Sequence, residues 1–157
     1  MLTGLSLSAA ALIGLAVHEG YRGDAYVPVP GDVPTIGFGS TTHASGAPVQ
    51  LGQRTDPVRA LVRLGQHVGE KERALKACIG PVPLYQNEWD AYVSWSYNVG
   101  TAAACSSTLV RKLKATPPDY AGACAELLKW DKFKGQALPG LTARRQQEHR
   151  ACLGMPR

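Results

Sequence analysis

The residues best suited to chemistry lie between His18 and Ser40, in the stretch HEGYRGDAYVPVPGDVPTIGFGS. Glu19 closes a run in which residues 1–17 carry no charged side chain. At the C-terminal end of a helix the dipole opposes a carboxylate and favours the protonated acid, the form a general acid needs. A solvent-facing Glu at a fraying helix end has the same sequence signature. General-acid cleavage of a glycosidic bond also needs a second group, commonly a carboxylate, to activate water or act as nucleophile. Asp24 and Asp32 are the nearby carboxylates, and Asp32 sits in a Pro-Gly-Asp turn where its type has an ordinary turn role. Thr35 offers a hydroxyl that can hold a water. Gly37 and Gly39, on the same strand, let a backbone or a bulky ligand approach closely.

These groups need a helix to end at Glu19 and a hairpin to return beside it. Residues 8–19 read as a helix with Ser8 as N-cap, Leu12, Leu15 and Ala16 on one face and Gly20 as the stop. From Gly23 to Leu51 glycines and prolines punctuate short β-prone pieces. AYVPV and PTIGFG read as two strands joined by PGD, with a third piece, APVQL, pairing beside them. The remainder is helical. Thr55 is expected to cap a helix reaching Cys78, with Gly65 and Gly69 as weak points. Further helices are expected at 86–98, which carries Trp89, Tyr92, Trp95 and Tyr97, and at 107–115, 118–130 and 143–153, the last capped by Thr142. The reading is α+β: one domain over 1–157, with a catalytic helix end and β-flap over 18–52 and a helical bundle over 55–153.

The chain has 157 residues, a size that buries a proper core without staples. Its net charge of +5 is uneven: residues 1–110 carry 7 basic and 8 acidic side chains, residues 111–157 carry 10 and 4. A basic C-terminal third suits an anionic partner, be it nucleic acid, a membrane surface or an acidic polymer. No zinc finger, basic zipper or aromatic RNA-binding strand supports nucleic acid. Cys78, Cys105, Cys124 and Cys152 show no paired spacing for zinc or redox chemistry. They fit either two disulfides, in any of three connectivities, or buried thiols. Residues 1–17 sit at the lower length limit for a membrane span and read either as the inward-packed first helix or as the remnant of an export or tethering segment.

The segment resembles the catalytic motif of phage endolysins of the muramidase type, the glycoside hydrolase family of the T-even and lambdoid phage lysozymes. The matching residues are Glu19-Gly20, Arg22, Ala25-Tyr26, Gly31 and Thr35-Ile36-Gly37-Phe38-Gly39. Tyr97-Asn98-Val99-Gly100 and Ser107-Thr108-Leu109-Val110-Arg111-Lys112-Leu113 are similar to later family segments. So is the ending from Pro139-Gly140-Leu141 through Thr142-Ala143-Arg144-Arg145 to Glu148. The resemblance runs from about residue 12 to 153. The family places an Asp nine residues after its Glu and a Thr fifteen after it. Here Pro28 stands in the Asp position, and Thr35 falls one residue late. Where many members have His after the second glycine, this chain has Ser40, with His43 three residues on.

The resemblance implies a lysozyme-like fold with a cleft between flap and bundle. It also implies hydrolysis of the β-1,4 bond between N-acetylmuramic acid and N-acetylglucosamine of peptidoglycan. In that scheme Glu19 is the general acid, Asp32 takes the missing Asp's role, and Thr35 positions the water. Tyr26, Gly39, Tyr97, Asn98 and Arg144 contact substrate. Arg144 and Arg145 either steady the Glu19 region, meet peptide carboxylates or charge a helix surface; Tyr97 either stacks on a sugar or packs in the core. No metal, cofactor or nucleic acid is expected. A monomer in the host periplasm is, with transient inner-membrane association through residues 1–17 and disulfide-bonded cysteines. Two alternatives remain open: a lytic transglycosylase working with Glu19 alone, and an inactive wall-binding module.

Overall fold

The computed structural model describes residues 4–155, beginning with an extended stretch. Its elements run α1 (Ala9–Glu19), β1 (Arg22–Tyr26), β2 (Thr35–Gly37), α2 (Pro57–Ile79), α3 (Gln86–Val99), α4 (Thr101–Cys105) and α5 (Thr108–Leu113). Then follow α6 (Tyr120–Glu126), a 3-10 turn (Leu127–Lys129), β3 (Lys132–Phe133), β4 (Gln136–Ala137) and α7 (Pro139–Cys152). The chain divides into two compact units, Ala9–Gly69 and a second made of Met1–Ser8 with Glu70–Arg157.

In the Ala9–Gly69 unit, α1 turns Ala11, Leu15 and Ala16 inward. β1 and β2 pair antiparallel, Arg22 opposite Gly37 and Tyr26 opposite Thr35, with an irregularity between the two pairs. The expected three-stranded sheet is corrected here to two strands. APVQL contributes only a single bridge, Pro48 to Thr42, held by His43 N–H to Ala47 O at 2.8 Å and Val49 N–H to Thr41 O at 2.9 Å. All of β2 is buried, and Val49, Ala60, Leu64 and Val68 complete the interior. Gly37 has φ +65°, and a Cβ there would lie 2.8 Å from Ala60 Cβ, so only glycine allows the flap this close to α2. Asp56, rather than Thr55, caps α2, accepting the Arg59 amide at 2.9 Å with Pro57 in the first helical position. Gly65 and Gly69 do not break this helix.

The other unit is built on α3, which packs along α7. Trp89, Tyr92, Val93 and Trp95 are fully buried there, joined by Leu109, Leu113 and Leu127. Glu88 starts α3 by accepting the Tyr85 amide at 2.8 Å, Ser107 caps α5, and Asp119 caps α6. α7 begins at Pro139, four residues before the expected start, because a proline at the first position has its φ already set for helix. Thr142 is therefore inside α7 and donates to Asp131 Oδ2 at 3.1 Å instead of capping.

Two disulfides close neighbouring loops, Cys78–Cys105 and Cys124–Cys152. The Tyr92 hydroxyl lies 3.4 Å from Cys152 Sγ, and burial, reinforced by Glu88 and Tyr120, holds its pKa above the ordinary tyrosine value. Residues 5–8 form a strap tied by polar contacts. Leu7 N–H donates to Glu72 Oε1 at 2.6 Å, and Ser8 gives its N–H and its hydroxyl to Asp90 at 2.9 and 2.6 Å. Gln86 Nε2 donates to Ser6 O at 2.8 Å, and Lys76 Nζ donates to Leu5 O. Ser8 thus gives its hydroxyl proton to Asp90 from the position just before α1.

Candidate active site

Glu19 is the last residue of α1, exposed, with Gly20 beside it at φ +71° to turn the chain into β1. Just past the end of β2 lies Gly39, whose φ is +84° and where a Cβ would lie 3.8 Å from Glu19 Oε2. Ile36 and Ser40 exchange both backbone hydrogen bonds at 2.9 Å, which makes the intervening Gly37-Phe38-Gly39 a tight reversal. The two glycines do different work: Gly37 admits Ala60 of α2, and Gly39, at φ +84°, supplies the left-handed turn beside the acid.

Thr35 is buried, opposite Tyr26, and its hydroxyl donates to Val33 O at 3.2 Å. Tyr26 is half-buried, with the Arg22 guanidinium 4.0 Å above its ring centre. Asp32 is exposed in the turn between β1 and β2. Its Oδ1 accepts the Val33 amide at 2.8 Å and its own amide donates to Val29 O at 3.0 Å, the local bonding of an Asp that shapes a turn. Asp24 forms an exposed ion pair with Arg54 at 2.8 Å. The structure therefore brings Glu19 to Gly39 and Tyr26 to Thr35, and gives Asp32 a visible turn role.

Tyr97 and Asn98 occupy the last turn of α3, Tyr97 half-buried and Asn98 exposed, while the three aromatics before them are core. The structure corrects two expectations for α7. Arg144 and Arg145 do not charge a helix surface, and Arg144 does not present a solvent-facing cation to peptide carboxylates. Both are buried around Glu148, because their face of α7 is the one packed on α3. Arg144 Nε lies 3.2 Å from Glu148 Oε1, and Arg145 Nε lies 2.7 Å from Oε2. Burial pushes the Glu148 carboxyl up and the Arg145 guanidinium down, and their mutual attraction opposes both shifts. Sequence reasoning missed Ser94, which ties this cluster to α3: its hydroxyl donates to Glu148 Oε1 at 2.7 Å, and Arg144 donates to its carbonyl at 3.1 Å. Its only sequence signal is its place one helical turn before Tyr97-Asn98. Among the described residues no group of three or more His, Cys, Asp or Glu is placed to hold a metal.

The family model for phage lysozyme matches residues 16–148, from α1 to Glu148. The chain belongs to the phage lysozyme family. It is 34% identical over 148 residues to an endolysin of Acyrthosiphon pisum secondary endosymbiont phage 1, covering 92% of this chain and 95% of the relative. It is 33% identical over 149 residues to a SAR-endolysin of Pseudomonas phage phiKMV, covering 92% and 87%. The solved endolysin from Escherichia coli O157:H7 phage FAHEc1 superposes with a TM-score of 0.84 at 29% identity, covering 100% of both chains. As a phage lysozyme the chain is a glycoside hydrolase, a lytic enzyme that degrades peptidoglycan.

Proposed function

We propose that this phage lysozyme hydrolyses the β-1,4 bond between N-acetylmuramic acid and N-acetylglucosamine, with Glu19 as general acid. The observation that supports this most directly is the position of Glu19 at the end of α1 beside Gly39, where a Cβ would lie 3.8 Å from Glu19 Oε2. A glycine beside the acid leaves space there for a sugar ring to approach. Glu19 protonates the leaving glycosidic oxygen, and water attacks the anomeric carbon from the opposite face. The water's proton passes to a base, and the configuration inverts. Asp32 is the proposed base and Thr35 the proposed holder of the water. Tyr26, Gly39, Tyr97 and Asn98 are proposed sugar contacts, the aromatic of Tyr97 against a ring face and the Asn98 amide toward an acetamido group.

A second reading has specific support, because Pro28 occupies the family's Asp position and Asp32 Oδ1 already serves the Val33 amide. In it Glu19 works alone, as acid and then base, and the muramic acid's own hydroxyl closes an anhydro ring. Digestion of purified sacculi in heavy-oxygen water separates the two. Hydrolysis places one labelled oxygen at each new reducing end, whereas unlabelled anhydromuropeptides would overturn the hydrolase. Glu19→Gln should lower turbidity clearing by about 10²–10⁴-fold, and an unchanged rate would remove Glu19 from its role. Asp32→Asn should lose most activity if Asp32 is the base; retained activity returns it to the turn.

We also propose that the enzyme works as a monomer on the periplasmic side of the host wall, after an earlier stage in which residues 1–17 tether it to the inner membrane. A SAR-endolysin among its relatives and the absence of charge from these residues support the reading. No helix of the described residues is long and apolar enough to cross a membrane. Membrane fractionation of expressing cells tests it, and recovery in the soluble periplasmic fraction alone at every time after induction would end it.

A further inference from the structure

The hairpin β3–β4 has a tip that folding does not account for. Lys132 pairs with Ala137 and Phe133 with Gln136, and the turn consists of Lys134 at φ +50° and Gly135 at φ +81°. Positive φ at both central residues suits the twist of a two-residue hairpin, and Asn-Gly is the ordinary choice for it. Lys134 is the one non-glycine residue with positive φ among the described residues. A lysine takes that conformation only at a cost, and residues held so are found disproportionately at functional sites. Beside it Phe133 is 59% exposed, and Lys132 is exposed as well. Neither lysine forms an ion pair with a carboxylate among the described residues. The nearest cation to the aromatic ring is Lys134 Nζ, 5.5 Å from its centre.

The base, by contrast, is fixed. Leu138 N–H donates to Asp131 O at 3.0 Å, Asp131 accepts from Thr142, and Trp130 packs edge-on against Trp95 with ring centres 5.4 Å apart. Trp95 precedes Tyr97-Asn98 by two residues on α3. The hairpin is thus anchored to the core of its own unit through Trp130 and Thr142, and its tip carries an apolar ring between two cations.

We propose that this tip is an additional grip on the peptidoglycan strand, Phe133 lying against the face of an amino sugar and Lys132 and Lys134 meeting stem-peptide carboxylates. The proposal rests on peptidoglycan as substrate. An acidic peptide-bearing glycan matches both halves of the tip: the ring covers the C–H face of a sugar, and the cations neutralise carboxylates.

Binding of the Glu19→Gln protein to purified sacculi tests it, since the substrate then persists during the measurement. Phe133→Ala should weaken sacculus binding about five- to tenfold, the loss expected for one partly buried aromatic. Lys134→Gly removes a charge while relieving the backbone, so its melting temperature should hold or rise while sacculus affinity and its salt dependence both fall. A merely structural lysine would give the opposite pairing of a lower melting temperature with unchanged affinity. Removing the stem peptides with an amidase should abolish the Lys134→Gly effect and preserve that of Phe133→Ala. Unchanged sacculus affinity in the folded variants overturns the proposal. So does a loss of affinity seen only on vesicles of phosphatidylethanolamine and phosphatidylglycerol, which would assign the tip to a membrane. The functional reading fails separately, if the protein with Glu19 intact releases no new ends from sacculi.

Discussion

Reduction of Cys78–Cys105 and Cys124–Cys152 should destabilise one unit of the molecule and spare the other. The two bridges span 27 and 28 residues of sequence and do not overlap. A cross-link over a loop of that length removes chain entropy from the unfolded state equivalent to about 3.6 kcal/mol at 25 °C. Separate loops make the two contributions roughly additive, so about 7 kcal/mol is at stake, against about 5–15 kcal/mol for a whole domain. Both bridges lie in the unit containing Glu70–Arg157, and Ala9–Gly69 has no cysteine. All three tryptophans, Trp89, Trp95 and Trp130, are in that same unit, so their fluorescence in a urea titration reads it directly. The Cys78→Ser/Cys105→Ser and Cys124→Ser/Cys152→Ser pairs should each lose about 3–4 kcal/mol. With a reductant on the native protein, Cys78–Cys105 should open first, because its sulfurs are half-exposed while Cys124 and Cys152 are buried. A loss below about 1 kcal/mol for either pair would refute the loop-entropy argument.

Three further outcomes are expected. Glu148→Ala leaves two buried guanidinium groups without their shared carboxylate, which should cost about 3–5 kcal/mol in chemical denaturation. Gly37→Ala sets a methyl against Ala60 at a positive φ and should cost at least about 1–2 kcal/mol, whereas Gly31→Ala, with open space around it, meets only the φ penalty. Tyr92 keeps its proton in the folded state above the pH where an unfolded tyrosine loses it, so the unfolded chain binds fewer protons there. Stability should therefore fall as pH rises past about 10, by up to about 1.4 kcal/mol per pH unit from this group, and Tyr92→Phe should remove that share.

Much of the architecture was legible because it is written in local signals. The acid at the end of α1, the return strand at Thr35 and, to within a residue, the starts of α2 and α5 follow from residue types within a few positions of one another. The APVQL piece misled because β-prone composition says nothing about which partner a strand finds, and it makes one bridge, to Thr42, rather than joining β1 and β2 as a third strand. Arg144 and Arg145 stayed open among three roles for a related reason: adjacent arginines do not say which face of a helix is covered, and the packing of α7 on α3 brings Ser94 and Glu148 to them. The β3–β4 hairpin was hidden by its length, two residues to a strand, with lysine where a turn signal would normally stand. The role of Asp32 was ambiguous in sequence, and its hydrogen bonds show the turn while leaving the chemistry to the substitution.

The strap of residues 5–8 also sets an order on synthesis. Leu7 finds its acceptor 65 residues further along the chain, and Ser8 finds its own 82 residues further along. At about 5–20 residues per second, a ribosome needs roughly 4–16 s to make that interval. For that time the start of the chain has nowhere to dock and is open to any cellular factor that handles nascent polypeptide. Its seating on α2 and α3 is therefore a late event in the life of each molecule, reserved by geometry until the middle of the chain has emerged.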